Sequence, residues 1–202
     1  LFTSREVETL LEQETKKKKD TSEVVEDEEH RVVTRLFKYN LKDKKVTRLT
    51  DNVKPLQRFS LSPDKKMVVY TISMSMLYGQ DQEVQPNYYL MDLETKETRE
   101  IFTDKSLKLF GVFTWALDNS GFYVPVNYST HPKYTMAAVM KLYWYDIANH
   151  TYQEIDLGWD RYGGRFEVTH DGFVMGLPKG VHFKYARFYK KGNTWQKKWI
   201  KE

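Results

Sequence analysis

Ser62-Pro63-Asp64-Lys65-Lys66-Met67-Val68-Val69-Tyr70 is a turn followed at once by an apolar, β-branched run, and the fold is read from it. An Asp in a turn accepts hydrogen bonds from backbone amides just beyond it. Met-Val-Val-Tyr then has the composition of a strand. The arrangement returns in Leu117-Asp118-Asn119-Ser120-Gly121-Phe122-Tyr123-Val124 and in His170-Asp171-Gly172-Phe173-Val174. Asp64, Asp118 and Asp171 are separated by 54 and then 53 residues.

A second marker keeps the same rhythm. Arg35-Leu36-Phe37-Lys38-Tyr39-Asn40, Tyr88-Tyr89-Leu90-Met91-Asp92 and Leu142-Tyr143-Trp144-Tyr145-Asp146 are aromatic-rich strands ending in Asn or Asp, and those ends are 52 and 54 residues apart. A polar turn and another short strand follow each: Lys45–Thr50, Thr98–Phe102 and Tyr152–Ile155. Arg187-Phe188-Tyr189 and Thr194–Trp199 supply a fourth copy. Each unit therefore reads as strand, Asp-centred turn, strand, longer connection, strand, turn, strand. That is the four-stranded antiparallel blade of a β-propeller. A β-sandwich has no reason to repeat two markers in phase.

The expected fold class is thus all-β, a partial β-propeller with a short N-terminal helix. Residues 1–34 read as helix plus charged excursion, and 35–202 as blades: a partial blade at 35–50, then 55–104, 110–157 and 164–202. Propellers close with about four to eight blades, and open sheet edges invite aggregation, so the chain reads as a fragment of a longer one. The helix is expected over roughly 4–16, because Thr3-Ser4-Arg5-Glu6 has the form of a capping box and Val7, Leu10 and Leu11 share a face. Lys16–Lys19 and the acidic run Glu26–Glu29 then read as a solvated rim excursion.

Composition agrees with a packed β body: 40% hydrophobic, 15% aromatic, with fourteen Tyr and eleven Phe. The net charge of +4 comes from basic residues spread along the chain, so no nucleic-acid partner is expected. The absence of Cys excludes disulfides, thiolate metal sites and a cysteine nucleophile. No apolar run reaches the length of a membrane helix, and no membrane partner is expected.

The stretch Phe59–Tyr70 followed by Tyr88–Lys96 resembles the Ser-Pro-Asp-Gly propeller repeat of the prolyl oligopeptidase family and of Tol-type propellers. Arg48-Leu49-Thr50-Asp51-Asn52, closing a blade, is also similar to bacterial peptidases of that family. The repeat signal covers 35–202. Two departures stand out: Lys65 occupies the place of the usual Gly, and Leu117-Asp118 replaces Pro-Asp. The resemblance implies a non-catalytic propeller that filters peptides for an α/β-hydrolase domain downstream in the same polypeptide, whose serine sits on a Gly-x-Ser-x-Gly elbow. No such elbow occurs in this chain. It also leans toward a periplasmic or extracellular bacterial location, with the cytoplasm left open.

The dipeptidyl peptidase branch carries an Asp-Trp-x-Tyr-Glu-Glu amine anchor; this chain has Gly158-Trp159-Asp160-Arg161-Tyr162-Gly163-Gly164 instead. Trp159, Arg161, Tyr162 and Arg165 lie on the loop entering the last blade and are the expected substrate or domain-interface contacts, an Arg there being able to hold a carboxylate or carbonyl in bidentate fashion. No catalytic residue, cofactor or metal site is expected. The five histidines, His30, His131, His150, His170 and His182, lack ligand spacing. The alternative function is a non-enzymatic Tol-type scaffold for protein partners, built on the same blades.

Overall fold

In the computed structural model the described residues are 1–18, 27–28, 31–129, 131, 139–159, 164–192 and 194–200. They form four antiparallel sheets, each built from a contiguous run of strands along the chain. The first contains β1 (Phe2–Arg5), β2 (Thr34–Tyr39) and β3 (Val46–Arg48). The second contains β4 (Leu56–Leu61), β5 (Met67–Ile72), β6 (Asn87–Asp92) and β7 (Thr98–Ile101). In the third, β8 (Lys108–Leu109) and β9 (Thr114–Trp115) both pair with β10 (Gly121–Tyr128), followed by β11 (Val139–Asp146) and β12 (Thr151–Ile155). The fourth is β13 (Phe166–Thr169), β14 (Gly172–Lys179), β15 (His182–Lys191) and β16 (Thr194–Trp199). Helices are α1 (Leu10–Lys18) and the single turn α2 (Tyr78–Asp81).

The phased markers have a direct cause in hydrogen bonding. Asn40 Oδ1 accepts the N–H of Lys42, Asp92 Oδ1 those of Glu94 and Thr95, and Asp146 Oδ1 that of Asn149. Each closes its turn with a side chain standing in for a backbone acceptor. Lys44, Lys96 and His150 then take left-handed backbone, at φ of 56°, 64° and 53°. At the other marker Asp64 Oδ1 accepts the Lys66 N–H and the Ser62 hydroxyl, while Ser62 Oγ accepts the Met67 N–H. Lys65 sits at φ +62°, in the conformation that favours the glycine it replaces.

The N-terminus corrects the expected start of the helix. Phe2–Arg5 is a strand in register with β2, Phe2 opposite Phe37, and the two rings stack at 5.5 Å. The working capping box is Thr9-Leu10-Leu11-Glu12: Glu12 N–H donates to Thr9 Oγ1, and Thr9 N–H donates to Glu12 Oε2 at 2.8 Å. Residues 2–5 thereby belong to the first sheet. A second difference lies in the last sheet, where the expected long connection between its middle strands is replaced by the two-residue turn Gly180-Val181, with Lys179 opposite His182.

The chain divides into two compact units, Leu1–Phe59 with Val69–Thr103, and Ser60–Val68 with Asp104–Glu202. The first is built on Leu36, Phe37, Tyr70, Ile72, Tyr88, Met91 and Ile101, all buried. The second has a dense aromatic layer, in which Tyr123 contacts Trp144, Phe166, Phe173 and Trp195 with ring centroids 4.9–5.8 Å apart. Phe173 stacks on Phe188 at 4.8 Å. Leu142, Met175, Leu177 and Ala186 complete it. Burying each large side chain contributes about 1.5–3 kcal/mol.

Candidate functional site

On the loop expected to carry contacts, Arg161 and Tyr162 lie outside the described residues. Trp159 is half-buried against the aromatic layer. Its Nε1–H donates to Pro178 O at 2.9 Å, and its ring meets Trp199 edge-on at 5.5 Å. Lys197 Nζ caps the same loop through Leu157 O and Gly158 O, at 2.9 and 2.8 Å. Arg165 is exposed, without an ion-pair partner among the described residues. Of the histidines, His131, His150, His170 and His182 are exposed; His30 lies outside the described residues. Among the described residues no three His, Asp or Glu side chains gather as a metal set.

The first unit contains a cleft that the sequence reading missed. It measures about 610 Å³, within the range of small-ligand pockets. Three separated segments line it: Leu49–Lys54 after β3, Tyr70, Ile72 and Met74 at the end of β5, and Asn87, Tyr89, Met91, Lys96 and Thr98 along β6 and into β7. Tyr70 and Tyr89 stack at 5.4 Å, forming an aromatic wall. Burial pushes the Tyr70 hydroxyl up to about 12, so it remains a neutral hydrogen-bonding group.

The loop wall is held rigidly. Thr50 Oγ1 accepts the buried Leu36 N–H at 3.0 Å, and Arg35 Nε donates to Asn52 O at 3.2 Å. Asn52 Nδ2 donates to Thr34 O and Lys54 O, at 2.8 and 2.6 Å, leaving its Oδ1 buried without a hydrogen-bond partner. Such an unmade bond costs about 1–3 kcal/mol. Lys54 Nζ is committed to Met74 O at 2.7 Å. Beside it, the Met76 N–H holds the Glu28 carboxyl below the usual carboxylate range, with Arg31 and Lys54 adding to the effect. Arg31 also donates to Ser73 Oγ at 2.8 Å.

The repeat sets the two units apart at one position. Lys38, Leu90 and Trp144 occupy the same place relative to the turn residues Asn40, Asp92 and Asp146. Trp144 is 3% exposed and fills the aromatic layer of the second unit, whereas Lys38 is exposed. Lys38 is not among the residues that line the cleft, so this contrast sets the units apart without forming the wall.

No protein-family model and no curated protein sequence matches the chain. Among solved structures it is similar to acylaminoacyl peptidase from Pyrococcus horikoshii, at TM-score 0.58 and 12% identity over 85% of this chain and 28% of that one. Dipeptidyl peptidase 4 from Porphyromonas gingivalis gives TM-score 0.55 and 14% identity over 83% of this chain and 28% of that one. The β-propeller domain of the Trilobed protease from Pyrococcus furiosus gives 0.52 and 12%, over 88% of this chain and 52% of that domain. TolB from Acinetobacter baumannii gives 0.50 and 20%, over 82% and 37%. The chain thus spans little more than a quarter of the two peptidases and under two fifths of TolB. Together with the four sheets, these likenesses establish the fold as that of β-propeller blades.

Proposed function

We propose that this chain is the peptide-filtering propeller segment of a prolyl-oligopeptidase-type serine peptidase, working with an α/β-hydrolase domain of the same polypeptide. The observation that supports the reading is the coincidence of two features. The stretches Phe59–Tyr70 and Tyr88–Lys96 resemble the family's repeat, and the blades they belong to have peptidase propellers as structural neighbours. The chemistry would belong to the hydrolase. These blades would exclude folded proteins and admit short chains, restricting which bonds reach the nucleophile. The loop bearing Trp159, Arg161, Tyr162 and Arg165 is the proposed contact with substrate or with the hydrolase.

The full polypeptide tests this. It should hydrolyse short chromogenic peptides, lose that activity to a serine-directed phosphonate, and leave folded proteins uncut. Arg165→Ala should raise KM. Insensitivity to the phosphonate, or a polypeptide without a Gly-x-Ser-x-Gly elbow followed by Asp and His, would favour the second reading, a Tol-type scaffold for protein partners. That alternative rests on the same blades and on the absence of catalytic signatures in this chain.

A further inference from the structure

The cleft of the first unit stands apart from the filtering role. The aromatic layer of the second unit shows what this repeat does when two sheet faces are simply packed: Tyr123, Trp144, Phe173, Met175 and Leu177 close on one another with no amide, aliphatic hydroxyl or charged side chain among them. Counted from Gly121, Gly172 and Met67, the first residues of β10, β14 and β5, Tyr70 and Ile72 hold the places of Met175 and Leu177. Around them, however, stand Thr50, Asn52, Asn87, Thr98 and Lys96, bordering open space. Equivalent positions are sealed with apolar side chains in one unit and left open and polar in the other.

The chemistry of the walls specifies an occupant. Tyr70, Tyr89, Ile72 and Met91 offer an aromatic and polarizable surface for an apolar side chain. The Asn87 carboxamide and the Thr98 hydroxyl, which also line the cleft, suit a ligand that both donates and accepts along its length. Of the two lysines lining the cleft, Lys54 Nζ is committed to Met74 O, while the Lys96 side-chain ammonium has no carboxylate or carbonyl partner among the described residues. From Asn87 to Met91 the cleft follows β6 for four residue steps, ~13 Å at about 3.3 Å per residue, the reach of an extended tri- or tetrapeptide.

We propose that this cleft binds short peptides, with an apolar side chain against Tyr70 and Tyr89 and the C-terminal carboxylate at Lys96. The proposal holds whether or not a hydrolase accompanies the blades, because the lining alone carries it.

The test is binding to the 202-residue chain itself, so hydrolysis plays no part. Ala-Ala-Phe and its C-terminal amide would be titrated to millimolar concentration by calorimetry and by amide NMR shifts. The acid should bind about fivefold more tightly than the amide at low salt, a preference that fades as salt screens an exposed charge pair. Lys96→Gln should abolish that difference and leave the amide's affinity unchanged, since the Lys96 side chain is exposed and supports no packing. Shifts should cluster at Leu49–Lys54, Tyr70–Met74 and Asn87–Thr98. Absence of binding, shifts confined to other residues, or an acid preference that survives Lys96→Gln would overturn the proposal. None of these outcomes bears on the phosphonate sensitivity of the full polypeptide.

Discussion

Lys65→Gly should make the protein more stable, and the size of the gain can be worked out. Lys65 has φ +62°, where a Cβ costs about 1–2 kcal/mol in a left-handed residue. Its side chain is exposed, and the turn uses its main chain only, through the N–H donated to Ser62 O at 2.9 Å. Glycine keeps that bond and removes the Cβ, while losing about 0.5–1 kcal/mol more backbone entropy on folding. The net expectation is a gain of about 0.5–1 kcal/mol. Asn119 holds the same place in the next repeat, at φ +61°, yet its Oδ1 accepts the Asp64 N–H at 2.9 Å, and Asn tolerates left-handed backbone well. Asn119→Gly should therefore lose about 1 kcal/mol with the hydrogen bond. Urea unfolding followed by tryptophan fluorescence reads both changes, because all five Trp residues and Lys65 lie in the second unit. With m of about 2 kcal/mol per molar, the midpoints should move ~0.3–0.5 M in opposite directions at constant m. Equal shifts of the same sign would refute the reasoning, since they would mean that the turn, not the side chain's bond, sets the preference.

Three further outcomes are expected. A Cβ at Gly172 would stand 2.0 Å from Phe188 O, and one at Gly121 2.1 Å from Tyr145 O; Gly172→Ala and Gly121→Ala should each cost at least about 3 kcal/mol in urea unfolding, against about 1 kcal/mol for Gly180→Ala, which meets only a positive φ. Trp159→Phe should cost about 1 kcal/mol through the lost bond to Pro178 O, read as a lower midpoint. Asp64 has its carboxyl held below the usual range, first by the Ser62 hydroxyl and then by the Lys66 N–H. A depressed folded pKa stabilises above the unfolded value and loses that contribution as pH falls through the folded one. Stability should thus decline below about pH 4, the ordinary carboxylate range, and Asp64→Asn should flatten the decline in an acid titration of the midpoint.

The blades were legible because their markers are local. Asp64, Asp92, Asp118 and Asp146 each bond backbone or side-chain groups within three residues, so spacing in the sequence is spacing in the structure. The start of α1 was not, because two Ser/Thr-x-x-Glu patterns lie six residues apart and only pairing with a strand more than thirty residues away decides between them. Once Phe2 stacks on Phe37, Thr3–Glu6 cannot also be a helical turn, and Thr9–Glu12 takes the role. The cleft was hidden for a related reason: its walls come from three segments brought together by sheet formation. No single segment carries the polar and apolar pattern of the whole wall.

The connection between the middle strands of each sheet has a consequence for how such a chain can change. It spans 73–86 in the second sheet, 129–138 in the third and only 180–181 in the fourth, yet the strands it joins are hydrogen-bonded neighbours in the second and pair along eight residues each in the third and fourth. Length at this point is decoupled from the ladder. Gly180-Val181, with Val181 90% exposed, is therefore a natural insertion point, where an epitope, a fluorophore-bearing peptide or a grafted recognition loop could be spliced in without cost to the blade. Evolution has the same freedom there, and relatives should diverge in that turn faster than anywhere in the strands around it.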